Sequence, residues 1–397
     1  MDFDPYDPAL VDDPYPTYAA LRRESPVYYG ASHDFWALTR FADVKHALGD
    51  HETYCSSKGL LVIEATDDFE APEFPPGNML LMDPPEHTAY RKVVNRKFLQ
   101  RTVAEMEDQV REVANTLVDR FIERGSCELV SEFTAALPAI MFGRQLGIPH
   151  DAWEQFQHCS AVLVSPAPTP EAMAEHRLAA EAVSAMFVQL LAEKRAHPAD
   201  DLLTELAIGT VDGAPLSEAE FVGFGIAMLI AGNDTTSNLL ANAMWLLAVH
   251  PEQRALLLED RSRIPNAVEE ILRFEPPVHG LARTLTRDVE LDGHQLEKEQ
   301  KVLLLFASAN RDELEFDEPE RFDVTRRFES HLSFGFGIHH CIGIHLGRLE
   351  GRVGIETLLD RLGEYELATD EVHWRQTFPT RPMAELPVTF RAGAPRA

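Results

Sequence analysis

The sequence predicts a mainly α-helical fold with small β-sheets, and three observations carry that prediction. From Pro85 to about Phe274 apolar residues recur at helical spacing, most clearly over 103–124, 171–195 and 217–249. Alternating, β-branched runs are confined to the two ends of the chain, at 27–60 and 278–397. No repeat or low-complexity linker interrupts residues 1–397, so one domain is expected, with its helix-rich core at about 85–275.

Taken in order, "DPYPTYAALRRESP" (13–26) predicts a short helix, and "PVYYG" and "FWALTR" predict two strands of a small sheet. Between Ser56 and Asn78 acidic residues, prolines and glycines mark a long loop, of a length that usually serves a function. The break "SPAPTP" (165–170) separates two helices of the core. Beyond "FEPP" (274–277), strands are expected in "RTLTRDVELDG" and "KVLLLFASA".

Composition narrows the function. With 65 acidic against 36 basic residues the net charge is −29, which argues against a nucleic-acid binder. The opening "MDFDPYDPALVDDP" has neither a basic n-region nor an apolar h-region, so neither signal peptide nor anchor is expected. The longest apolar run, Phe221 to Gly232, falls short of the roughly 20 residues a membrane span needs. Cys55, Cys127, Cys159 and Cys341 lie far apart without a CxxC pair, which points to a reducing, cytoplasmic setting.

The stretch "HLSFGFGIHHCIGIH" (331–345) concentrates four histidines and a cysteine. Read as a zinc site it is poor. Adjacent side chains as in "HHC" rarely converge on one ion, and zinc does not call for the flanking glycines. A structural metal-binding module is the reading of another class, and a turn with a buried cysteine is the plain one.

The segment "FGFGIHHCIG" (334–343) also matches in full a Phe-x-x-Gly-x-x-x-Cys-x-Gly signature, and here the chain resembles the cytochrome P450 family. That resemblance implies that Cys341 is the thiolate ligand of a haem iron, with Phe334 and Gly335 against the cofactor. Gly335 and Gly337 suit a tight loop, Gly343 opens a helix, and a helix starting at Cys341 would aim N–H groups at the sulfur.

Three further motifs follow the family's order. His87 and Arg91 in "MDPPEHTAYRKVVNRKF" share one helix face and, by the resemblance, contact haem propionates together with Arg283 and His339. Glu270 and Arg273 match a Glu-x-x-Arg pair that in the family is buried, joined by an arginine, here Arg326, and structural. In "AMLIAGNDTTSNLL" (227–240) an apolar helix carries Gly232, Asn233, Asp234 and Thr235, matching the distal motif whose glycine lets the helix widen and whose acid and alcohol handle protons. Read alone, that run is a helix bent by glycine and back-bonding threonine. Gly347, where alanine is common, is a minor departure.

The resemblance implies the P450 fold, with haem b (iron protoporphyrin IX) between the distal helix and the cysteine-loop helix. It implies a soluble monooxygenase that inserts one oxygen atom from O₂ into a mainly apolar small molecule. No flavin, nicotinamide or iron–sulfur motif is present, so NAD(P)H is expected to act only through a ferredoxin or flavodoxin and its reductase. A peroxide-driven peroxygenase is the alternative, and the Asp234–Thr235 pair counts against it. The expected protein is a cytoplasmic monomer without nucleic-acid or membrane partners. Its substrate pocket is expected to involve Val62, Ile63, Ile226, Ala231, Val278 and Phe378. The acidic 59–80 loop offers no cation, so no carboxylate anchor is expected, though Lys58 and Arg381 lie close by in sequence. The cluster Arg91, Lys92, Arg96, Lys97 and Arg101 is the expected docking face for an acidic redox protein.

Overall fold

A computed structural model describes residues 2–62, 76–149, 152–163, 170–375 and 377–396. The loop expected over 56–78 and the "SPAPTP" break fall mostly outside the described residues, and Ile63 falls wholly outside them.

The longest element is a helix over Glu218–Val249. It is apolar nearly all round, as a helix must be when other helices enclose it. Its start is fixed by a capping box: Ser217 Oγ accepts from the Glu220 amide at 3.3 Å, and Glu220 accepts from the Ser217 amide at 2.6 Å. It ends where Pro251, which has no amide hydrogen, opens the next helix. Helices Ala136–Leu146 and Pro170–Ala196 pack against it, and Glu107–Asp119 packs on Ala136–Leu146. The helix expected over 103–124 is interrupted, as Gln100–Ala104 followed by Glu107–Asp119.

The helix after the cysteine, Ile344–Leu362, crosses the second half of this long helix at close range. Glycine makes the approach possible. A Cβ on Gly351 would sit 2.9 Å from the Leu239 side chain, and one on Gly354 would sit 2.6 Å from that of Leu240. The helix starts at Ile344, not at Cys341: a 3₁₀ turn over Gly337–His339 and the Cys341 turn precede it, with Gly343 as its N-cap.

The expected strands form a five-stranded sheet in the order Val27–Gly30, Phe35–Leu38, Lys301–Leu304, Leu281–Leu285, Tyr54–Cys55. All neighbours are antiparallel except Phe35–Leu38 with Lys301–Leu304. The run "KVLLLFASA" is strand only to Leu304. Phe306–Ala309 is a helical turn whose apolar side chains are buried, because four consecutive buried residues serve a short helix as well as a strand.

A buried ion pair ties the helices to the cysteine loop. Glu270 and Arg273, on the helix Ile264–Phe274, are fully buried and joined at 2.7 and 2.8 Å, and Arg326 adds a third contact at 3.2 Å. Arg273 also donates to the Asn310 carbonyl at 2.9 Å. The Asn310 side chain accepts from the Leu332 amide at 2.7 Å and donates to Ser333 Oγ at 2.8 Å. Leu332 in turn accepts from the Gly335 amide at 2.8 Å, at the start of the cysteine loop.

Removing one member leaves its partner as an uncompensated charge inside the protein. Glu270→Ala and Arg273→Ala should each lower unfolding stability by about 3–5 kcal/mol in urea titrations. A loss below about 1 kcal/mol would place the pair among ordinary surface bridges.

Candidate active site

The cysteine loop is shaped by two left-handed glycines, Gly335 at φ 67° and Gly337 at φ 71°. Only glycine adopts this conformation without strain, and a side chain on Gly337 would drive into the Leu48 carbonyl, 2.4 Å from its Cβ. The loop closes by a 2.8 Å bond from the Cys341 amide to the Phe334 carbonyl. Burial pushes the Cys341 thiol up, while the Gly343 amide and the guanidiniums of Arg91 and Arg348 pull it back toward thiolate.

Arg348 is one turn into the following helix. It forks onto Glu269 at 2.8 and 2.7 Å and lies 5.1 Å from the centre of the Phe334 ring. His331 pairs with the same Glu269 at 3.2 Å. Among the described residues no three His, Cys, Asp or Glu side chains converge where an ion could sit.

Beside the loop, residues from three distant parts of the chain meet. His87 stands on the helix Glu86–Val94, Arg283 on the strand Leu281–Leu285, and His339 on the 3₁₀ turn. The two imidazoles lie 4.3 Å apart. Both ring nitrogens of His87 and Nε2 of His339 are buried without a hydrogen-bond partner. Burial, and then neighbouring positive charge, holds His87 down at about 4 and His339 at about 3. Arg283, equally buried, has one bond, to the Ala282 carbonyl at 2.8 Å, and burial lowers it to about 10. Three groups able to carry positive charge thus share an interior site, with Asp83 as the one carboxylate among the described residues that acts on all three. Orphaned donors of this kind suit an anionic ligand, and the two propionates of a haem fit them. Arg91 is committed differently: it donates to the carbonyls of Ile338 and His340, at 3.1 and 2.6 Å, and so braces the loop.

Facing the loop, the long helix is buried along nearly its whole length, yet Ile230, Ala231, Gly232, Asp234 and Thr235 are only partly buried. Asp234 accepts from Asn238 at 3.3 Å and from the Thr380 hydroxyl, and burial raises its pKa against those bonds. Thr235 donates to the Ala231 carbonyl at 2.9 Å, the local bond open to any helical threonine. The segment runs as continuous α-helix through Gly232, where a Cβ would lie 3.2 Å from the Phe142 ring, a tight contact that the ring would have to yield to.

The expected pocket residues are dispersed. Val62 packs in the core with Phe378 nearby, Val278 bridges to Thr380, and Ala231 is a partly buried residue of the long helix. Ile226 is buried in the core shared with Phe187 and Leu190. Lys58 is paired with Glu299 at the surface.

A scan against family models matches the Cytochrome P450 family over residues 26–375. The chain belongs to the cytochrome P450 family. It is 35% identical to cytochrome P450 130 of Mycobacterium tuberculosis over 96% of this chain and 95% of that one. It is 38% identical to the vitamin D(3) 25-hydroxylase of Pseudonocardia autotrophica over 95% and 94% of the two chains. Among solved structures, P450 CYP109Q5 from Chondromyces apiculatus superposes with a TM-score of 0.89 at 35% identity, covering 99% of both chains. P450BioI in complex with an acyl carrier protein ligated to hexadec-9Z-enoic acid gives 0.87 at 31%, covering 96% and 98%. The fold is therefore that of a P450, and the protein is a P450 monooxygenase, an oxidoreductase whose family implies haem and O₂. Among the described residues no helix is long and apolar enough to cross a membrane.

Sequence reasoning missed one acid of this P450 site. Glu350, on the cysteine helix, is fully buried, hydrogen-bonded to Thr236 and pushed up to about 8 by burial. The signal was present: Glu350 lies four residues after Leu346 and three before Val353, on the apolar stripe of its helix.

The folded protein keeps the Glu350 proton up to about pH 8, whereas the unfolded chain loses it near 4.5. Between those values the folded state binds the extra proton, so this group costs stability as pH rises. Glu350→Gln, which keeps the shape without the charge, should be more stable than wild type at pH 8 by a few kcal/mol, with the gain fading toward pH 5. Thermal melts at the two pH values check this, and an equal gain at both would show that the carboxyl is not the cause.

Proposed function

We propose that Cys341 ligates the haem iron as a thiolate, that His87, Arg283 and His339 receive the propionates, and that Asp234 with Thr235 manages protons on the opposite face. The observation that carries this reading is the buried, largely unpartnered cluster of His87, His339 and Arg283 beside the Cys341 loop. When bound, the haem supplies the activation of O₂ and the insertion of one oxygen atom into substrate. The chain supplies the surroundings. The Gly343 amide and the charges of Arg91 and Arg348 favour the sulfur anion, and Arg91 fixes the loop carbonyls on either side of His339. Phe334 packs against Arg348, Gly335 lets the backbone take its left-handed turn, and the two would lie against the haem when it is bound. Asp234, largely buried and hydrogen-bonded by Asn238, is the group to which this reading assigns proton relay together with its neighbour Thr235.

Reduced protein exposed to carbon monoxide should show the red-shifted Soret band of a thiolate-ligated haem, and Cys341→Ala should abolish it. Persistence of that band in the variant would exclude Cys341 as the ligand. In Thr235→Ala, NADH consumption should continue with more peroxide released and at least about tenfold less product per NADH, a loss of the size expected for removing a proton-transfer group. Coupling equal to wild type would remove Thr235 from the proton path.

Electrons come, in this reading, from NAD(P)H through a reductase and an acidic ferredoxin or flavodoxin. A groove of about 640 Å³, lined by Arg327, Phe334, His340 and Arg348, lies against the cysteine loop. Of the basic cluster expected to dock the partner, Lys97 is buried on Asp200 and Arg96 pairs with Glu205, which leaves Lys92 and Arg101 exposed. Reduction by such a partner should slow as ionic strength rises, and Lys92→Glu or Arg101→Glu should slow it several-fold at low salt. Rates insensitive to both would move the docking face elsewhere.

The substrate in this reading is mainly apolar. The names of two relatives, a vitamin D(3) hydroxylase and a P450 bound to a fatty-acyl carrier protein, concern largely hydrocarbon compounds. We place the enzyme in the cytoplasm as a single-domain monomer.

A further inference from the structure

A cavity of about 390 Å³ lies between the N-terminal segment and the turn that follows Arg375. Its wall is chiefly apolar, with Tyr6, Leu10, Leu61 and Phe378 among the lining groups. Three side chains able to carry positive charge also reach it: His279, Arg375 and Arg381. Two of these are spoken for. Arg381 donates to Glu275 at 2.8 Å, to the Val11 carbonyl at 2.8 Å and to the Asp12 carbonyl. His279 is held by the same Glu275 at 3.3 Å, and burial favours its neutral form.

Arg375 is different. Its side chain makes a single long bond, 3.4 Å to the Ala384 carbonyl, and forms no ion pair among the described residues. Asp7, which shares the lining, uses a carboxyl oxygen to cap the Ala9 amide at 2.9 Å. Asp234 feels the charge of Arg375 but is bonded by Asn238 and Thr380. Thr380 links the two regions, since it lines the cavity and also donates to Asp234. The cavity is therefore separated from Asp234 of the distal helix by one lining residue, Thr380, and among the described residues Arg375 is its one guanidinium without an ion pair.

We propose that this cavity takes the anionic end of the substrate, Arg375 pairing with a carboxylate while the apolar wall holds the attached chain or ring. This rests on the monooxygenase reading above and narrows its substrate class from mainly apolar to apolar with an acid group. The forked donors of a guanidinium match a carboxylate, and a partly desolvated setting strengthens the pair. The cation that the acidic 59–80 loop lacks is supplied from the far end of the chain.

The test uses ω-imidazolyl alkanoic acids of graded chain length, each against its own methyl ester, titrated into haem-loaded protein by the Soret shift. The imidazole ring ligates haem, so both members of a pair bind whatever the natural substrate is. At one or more chain lengths the acid should bind about tenfold or more tighter than its ester, the gain of one charge-assisted pair. Arg375→Gln should remove that preference, Arg375→Lys should keep part of it, and ester affinity should stay constant across all three proteins. Equal binding of acid and ester at every length, or an acid preference that survives Arg375→Gln, overturns the proposal while leaving the haem reading intact. A protein that fails to shift even with plain imidazole overturns the haem reading, and the anchor with it.

Discussion

The buried pair of Glu270 and Arg273 is the constraint from which the site's geometry follows. A carboxylate and a guanidinium taken wholly out of water must satisfy every donor and acceptor, and they do so with loop backbone rather than with solvent. Glu270 reaches the Asp323 amide at 3.0 Å, and Arg273 reaches the carbonyls of Asn310 and Pro319 at 2.9 and 3.0 Å. Segments without regular structure of their own thereby inherit the rigidity of a helix. The last of them carries Phe334, whose carbonyl holds the Cys341 amide.

A second demand runs opposite to the first. At Glu270 opposite charges are buried together and satisfied, whereas His87, His339 and Arg283 are buried with their polar atoms largely unmatched. Burial works against the charge of each, and for the two histidines neighbouring positive charge works against it further. Such an arrangement costs folding free energy on its own, and an anionic ligand would recover it. Stability and cofactor affinity are then linked at the same three side chains.

How much of this could be read from the sequence depended on distance along the chain. The cysteine loop, the Glu-x-x-Arg pair and the Gly-Asn-Asp-Thr run are local patterns, in which spacing alone places side chains on one helix face or in one turn. The large helices were legible for the same reason, and "KVLLLFASA" was misread after Leu304 because a short apolar run carries no period. Groups whose role comes from a remote partner were not legible. Nothing near Lys97 announces Asp200, and nothing near Asp234 announces Thr380, which lies 146 positions onward. Arg91 shows the intermediate case: its helix face was predictable, but its commitment to the Ile338 and His340 carbonyls required the loop to be in place.

Gly351 and Gly354 make the crossing of the two central helices a fulcrum. Leu239 and Leu240 press there on bare backbone, and the approach continues toward the cysteine loop at Gly347 and Thr236. The closeness of the crossing therefore depends on two missing methyl groups, each more than a full turn along the chain from Cys341. A lineage that exchanged either glycine for alanine would have to shorten the opposing leucine to keep the helices at their present approach. The spacing of the site is in that sense inherited as a matched set of small and large residues, and it drifts only when both partners change.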